Sequence, residues 1–240
     1  MGRVWVERQD GWARIWIDNP VYRNCLGRSM WEELREAARR LSQDPDLRVV
    51  VVQGVGDDFT SGYDLSELAG QPVAAVNQAF REMEEAIAAV ESLPVPVVAA
   101  VQGYCLGGGF ELALACDLRW VSTTAKLGMP VAKLGIMLSR TFAWRLVQAM
   151  GPSAAKELLF TGRILTGEEA LQIGAANRLC DPSALEQEVM SLADQVSSLY
   201  PNAVRQAKSS VGAVIGPVGD DAPYFVDAQD FSRAVRRFER

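Results

Sequence analysis

Two glycine-bearing turns hold the residues of this chain best placed to do chemistry. Gly107-Gly108-Gly109 falls between a continuous apolar run and a helical pattern that begins near Phe110. Glycines there let a ligand approach the backbone, and the first N–H groups of a helix lack a partner inside it. Together with the positive end of the helix dipole, such groups can hold an anion. The spacing fits neither GxGxxG nor the P-loop pattern, so dinucleotide and nucleotide-phosphate readings are set aside. Tight strand-to-helix packing is the plainer alternative for the triplet. The second turn is Phe59-Thr60-Ser61-Gly62-Tyr63-Asp64-Leu65, where Gly62 permits a bend that aims the Tyr63 N–H outward. An ordinary connection with Asp64 as a cap is its alternative.

Composition removes several classes of chemistry. The 240 residues include no histidine, which excludes Ser-His-Asp and Cys-His catalysis and any His-ligated metal site. Cys25, Cys105, Cys116 and Cys180 show no CxxC spacing and are expected to be reduced, mostly buried thiols. A net charge of -6 and a sequence pI of about 4.9 argue against nucleic acid or an anionic membrane as partner. At 49% hydrophobic and 22% charged residues, the chain has material for a sizeable core. The apolar stretch from Leu93 to Leu118 is interrupted by Pro94, Pro96, Gln102 and Glu111, so it is not a membrane span. The N-terminus alternates polar and apolar residues and lacks a signal-peptide core, so a soluble, cytoplasmic protein is expected.

Alternating strands and helices position the two turns. Val4–Val6 and Ala13–Ile17 read as a hairpin about Asp10-Gly11. A helix from about Ser29, with a Ser29/Glu32 capping box, ends at Asp44-Pro45. Leu47–Gln53, Val97–Val101 and Leu118–Ser122 read as buried strands, and Val76, Phe80, Met83, Ile87 and Val90 mark a second long helix. Beyond Gly151 the pattern is helical, with capping boxes at Thr166/Glu169 and Ser183/Glu186 and a helix over Asn202–Val211. Residues 69–75 suggest a mobile loop. The fold class is α/β.

These segments, in this order, resemble the crotonase superfamily, the enoyl-CoA hydratase/isomerase group. The resemblance rests on FTSGYDLSEL, PVPVVAAVQGYCLGGGFELALACDLR, Asn24 after the hairpin, KLGMPVAKLGI, KELLFTGRILTGEEALQIGAANRL and the C-terminal DFSRAV. It implies a crotonase-like ββα spiral core over residues 1–180 and a C-terminal helical trimerisation region over 181–240, forming a homotrimer or hexamer. It implies an acyl-CoA thioester substrate, with coenzyme A part of the substrate and no separate cofactor or metal. The N–H groups of Tyr63 and Gly108 would form an oxyanion hole for a thioester enolate, flanked by Ser61, Gly62, Asp64, Leu65 and Gly107. Tyr63 replaces a smaller residue and narrows the entrance.

The departures from the family pattern bear on the reaction. Of the two glutamates that hold a water in the hydratases, the first corresponds to Glu111 and the second to Val131, after Pro130. Glu111 is therefore the single carried-over acid/base residue; a first-turn glutamate favoured by the helix dipole is the alternative. Ser139 occupies an aspartate position of the dienoyl-CoA isomerases, and Arg140 could pair with a substrate carboxylate; alternatively Ser139 caps a helix. Phe142 and Trp144 suggest a reshaped pocket. Arg233, Arg236, Arg237 and Arg240 could approach coenzyme A phosphates across a subunit interface; a basic helix C-terminus that complements the dipole is the alternative. Three functions follow: a hydratase- or isomerase-type enzyme using Glu111, a malonyl-type thioester decarboxylase, or an acyl-CoA-binding homologue without activity.

Overall fold

The computed structural model describes residues 2–215 and the short strand 225–226. The hairpin is present: β1 (Arg3–Gln9) and β2 (Trp12–Asp18) pair antiparallel about Asp10-Gly11, with Gly11 at φ +80°. α1 (Arg28–Ser42) leads to β3 (Val49–Gly54), α2 (Val73–Glu91) to β4 (Val97–Val101), and β5 (Tyr104–Leu106) with α3 (Gly108–Ala115) to β6 (Leu118–Ser122). Helical crossovers make these neighbours parallel. With β10 (Arg178–Cys180) they complete a six-stranded sheet in the order β1-β2-β3-β4-β6-β10.

The apolar runs of β3 and β4 are continuous because both faces of the sheet are covered. Val50, Val52, Val97 and Ala99 pack with Leu34, Ala38, Ile87 and Val90 of α1 and α2. The alternate residues Val49, Val51, Val98 and Ala100 meet Leu185, Val189 and Ala193 of α6 (Leu185–Ser197). So α6, on the C-terminal side of residue 181, is part of the core. A second sheet joins β5, β7 (Lys126–Gly128) and β9 (Ile164–Thr166), and carries the chain from the glycine triplet past the site. β8 (Ile136–Met137) pairs with β11 (Phe225–Val226). α4 (Arg140–Thr161) breaks at Gly151, φ +74°, before Pro152; α5 (Gly167–Gln172) and α7 (Pro201–Ile215) complete the described chain.

Two expected caps are corrected. α1 starts at Arg28, not Ser29, because Glu67 Oε2 accepts the Arg28 N–H at 2.7 Å from another segment. α6 grows out of a turn in which Asp181 O accepts the N–H groups of Ala184 and Leu185, so Ser183 caps nothing. The Thr166/Glu169 box is present. Within 69–75, helix α2 already begins at Val73. The DFSRAV segment and Arg233, Arg236, Arg237 and Arg240 lie outside the described residues.

Candidate active site

The two glycine turns meet. Thr60 N donates to Tyr104 O at 2.9 Å and Leu106 N to Thr60 O at 3.0 Å, tying the first turn to β5 just ahead of the triplet. On its other side Gly62 O accepts from Leu26 N at 2.8 Å and Asp64 N donates to Leu26 O at 2.9 Å. Peptide alternation then turns the intervening Tyr63 N–H away from Leu26. Gly62 sits at φ +94°, and a Cβ there would lie 2.5 Å from Leu106 O and 3.0 Å from Gly108 N. Only glycine permits this approach. Gly108 is the first residue of α3, with Gly107 at φ +54° before it. Neither the Tyr63 nor the Gly108 N–H donates to another group among the described residues. Asn24 holds the surrounding loops: its Nδ2 donates to Val55 O and Asp58 O, and its Oδ1 accepts the Asn19 N–H.

A cavity of about 800 Å³ opens at this junction. Ser61, Tyr63, Asp64, Leu65, Gly107, Gly108, Glu111, Pro130 and Val131 of the expected set line it. Phe80 and Met83 of α2, with Leu106, Met129 and Ile136, make the rest of its wall largely apolar. Arg23 and Tyr22 stand at its rim. Asp64 also caps the turn Leu65–Leu68 by accepting the Ser66 N–H at 3.0 Å.

Three expected positions sit elsewhere. Gly62 lies beneath the cavity as its hinge. Ser139 is buried and spends its hydroxyl as the cap of α4, accepting the Phe142 N–H at 3.0 Å. Neither Ser139 nor Arg140 is among the lining residues. The expectation that Phe142 and Trp144 reshape the pocket is corrected: Phe142 is in the core and neither lines the cavity.

Glu111 is fully buried in the first turn of α3 and lines the cavity. Its Oε1 is 2.9 Å from Nη1 of Arg145, a partner that the sequence did not single out. Arg145, 1% exposed, is also 2.6 Å from Glu84 and grips Glu91 with Nε at 3.1 Å and Nη2 at 2.7 Å. Burial opposes its charge, but the hydrogen bond to Glu91 and the charges of Glu111, Glu84 and Glu91 outweigh it and push its pKa up. The signal was a lone arginine inside the apolar AWRLV stretch, with Glu84 and Glu91 seven residues apart on one helix face.

Two further groups at the site, the Tyr63 phenol and the Cys25 thiol, are held toward their neutral forms. Burial, and then the Glu67 and Glu82 charges, raise the Tyr63 phenol. Cys25, half-buried at the cavity wall, is pushed up to about 11 by burial and by Asp64 and Glu67. All four cysteines are unpaired thiols, and Cys105, Cys116 and Cys180 are buried. Among the described residues no acidic or thiol cluster is placed to hold a metal ion, and no helix is long and apolar enough to cross a membrane.

The sequence pattern of enoyl-CoA hydratase/isomerase matches residues 7–225. The chain belongs to the enoyl-CoA hydratase/isomerase family. Among family members, crotonyl-CoA hydratase of Syntrophomonas wolfei is 31% identical over 206 residues, covering 85% of this chain and 79% of that one. The mitochondrial Delta(3,5)-Delta(2,4)-dienoyl-CoA isomerase of Rattus norvegicus is 33% identical over 207 residues, covering 81% and 63%. A solved enoyl-CoA hydratase/carnitine racemase from Magnetospirillum magneticum superposes with a TM-score of 0.86 at 28% identity, over 100% of this chain and 89% of that one. The crotonase fold expected from the motifs is thus shared with solved members, and the protein is an acyl-CoA-processing enzyme of hydratase or isomerase type.

Proposed function

We propose that this family member forms a thioester enolate, with the Tyr63 and Gly108 N–H groups as the oxyanion hole and Glu111 as the single acid/base residue. The observation that carries the reading is the junction of the two turns, which brings two donors from separate segments to the wall of one cavity beside a buried carboxylate. As the α-carbon gives up a proton, charge moves onto the thioester oxygen, and it leaves that oxygen when the α-carbon is protonated again. Donors fixed in advance at that oxygen stabilise the charged state more than the neutral one; losing one typically costs about 2.7–4 kcal/mol of barrier.

Glu111 acts first as a proton acceptor, from water or from the α-carbon, and returns the proton in the second half of the reaction; Arg145, 2.9 Å from its Oε1, holds the carboxyl group in place. Val131 has no proton to give or take, so both transfers fall to Glu111. The charged lining residues are Arg23, Asp64 and Glu111. A second carboxylate on the acyl group would meet Glu111 and the apolar wall of Phe80, Met83 and Val131, so an uncharged acyl chain suits the cavity better than a malonyl group. The same reading takes coenzyme A as the thioester carrier and a trimer or paired trimer as the working assembly.

Mass spectrometry of crotonyl-CoA turned over in heavy water tests this. Addition of water with deuterium at the α-carbon, reduced in Glu111→Gln, is expected. Loss of carbon dioxide from methylmalonyl-CoA, with crotonyl-CoA untouched, would replace the reading with decarboxylation.

A further inference from the structure

We infer that Trp31 is a positioning residue that sets the spacing between the two oxyanion donors; the inference rests on the oxyanion-hole reading above. The donors belong to different segments, one in the turn after β3 and one at the start of α3. Backbone hydrogen bonds of Thr60 with Tyr104 and Leu106 tie the segments together, and a side chain packed on both donor residues then sets the fine spacing of the two N–H groups. Trp31, from α1, packs on both while remaining 1% exposed. Its ring stacks on Tyr63 with centroids 6.3 Å apart and planes 22° from parallel. The far edge of the same indole and Met83 both pack at Gly108: a Cβ there would be 2.6 Å from Met83 Sδ, 3.3 Å from Trp31 Cζ2 and 3.5 Å from Cη2. Phe80 closes the arrangement from α2, edge-on to Tyr63 at 5.8 Å and 82°.

The pairing explains Tyr63. A donor N–H needs only a backbone, and a small residue would supply it. Tyr63 instead carries a ring that must be packed, and the indole is the shelf on which it lies. A rigid side chain touching both donor residues transmits the position of one to the other, because close-packed interiors shift in steps rather than deform freely. The choice of tryptophan also has a penalty that packing alone does not explain. Its buried indole Nε1–H meets no acceptor among the described residues. Stranding a buried donor is unfavourable. Phenylalanine would avoid it, but it lacks the second ring that reaches Gly108.

The test reads the hole directly. Butyryl-CoA labelled with carbon-13 at the carbonyl is bound to the wild type, to Trp31→Phe and to Trp31→Leu, and the carbonyl stretch is followed by infrared difference spectroscopy. The wild type is expected to lower the stretch relative to free thioester. Both variants are expected to lose a large part of that shift while binding butyryl-CoA within about twofold of the wild type. With crotonyl-CoA, kcat is expected to fall about tenfold at little-changed KM, short of the roughly hundredfold loss from removing a donor outright. A full wild-type shift retained in Trp31→Phe would overturn the role of Trp31 and leave the hole intact. No shift in the wild type itself would overturn the hole, and the role of Trp31 with it. If Trp31→Leu does not fold, Trp31→Phe decides alone, since a purely structural role would lower stability without moving the carbonyl stretch.

Discussion

At the scale of single residues, Glu111 and the charges around it decide the proposed proton transfers. Glu111→Gln keeps the shape but removes the acceptor, so kcat on an accepted thioester is expected to fall about 10²–10⁴-fold with the fold retained, measured by steady-state kinetics beside circular dichroism. Arg145→Met has a different consequence. It removes the ion partner that the fully buried Glu111 shares with Glu84 and Glu91, and breaking a buried pair in this way costs about 3–5 kcal/mol. Urea unfolding should show that loss, larger than for Glu111→Gln. Cys25 provides the pH dependence. Its thiol, held up to about 11 by burial and by Asp64 and Glu67, stays protonated at pH 8. Alkylation by iodoacetamide should be slow there and rise about tenfold per pH unit toward 11, because the thiolate is the nucleophile. A plateau near pH 9 would contradict this environment. Glu111 was named in advance through the family resemblance, and the structure buries it at the cavity wall. Arg145 was not named, because its partners come from α2 and α3, 34 to 61 residues away.

At the scale of elements, turns and caps position the site. Gly62→Ala would force a side chain into a backbone at φ +94° and onto Leu106 O. Stability and activity should fall together in thermal denaturation and turnover assays, the first by more than the ~1 kcal/mol of an ordinary glycine replacement. Ser139→Ala separates two readings of one residue. As the α4 cap it should cost about 1 kcal/mol of stability and leave KM unchanged; a raised KM would return Ser139 to the binding site. The strand Val97–Val101 was readable because it is a continuous apolar run with both faces buried; Leu118–Ser122 is a mixed strand, with Leu118 and Trp120 half-buried on one face and Arg119 buried on the other. The starts of α1 and α6 were misjudged for one physical reason. Local capping patterns take no account of a distant acceptor such as Glu67, or of a turn such as 181–184 that satisfies the first donors itself.

At the scale of the whole molecule, the family motifs in sequence order were enough to give the fold, because the spiral brings the two turns together whatever fills the pocket. The acyl preference was not readable in advance: it depends on Phe80, Met83 and Ile136 converging from three elements on Glu111 and Val131. The outer surface bears on assembly. Val211 and Val214 of α7 are 61% and 86% exposed, and Phe160 at the end of α4 is 78% exposed. Large apolar side chains of this kind are commonly covered in oligomers. Light scattering on a sizing column is expected to give three or six times the chain mass of 26.2 kDa; a single chain mass would contradict the trimeric proposal.

The proposed chemistry needs the cavity to stabilise a thioester enolate with Glu111 as the base. Exchange of the α-protons of butyryl-CoA for deuterium, followed by proton NMR in heavy water, tests it without presuming the overall reaction. The wild type is expected to catalyse exchange and Glu111→Gln to lose it. No exchange above the rate in buffer, or equal exchange in both proteins, would contradict it.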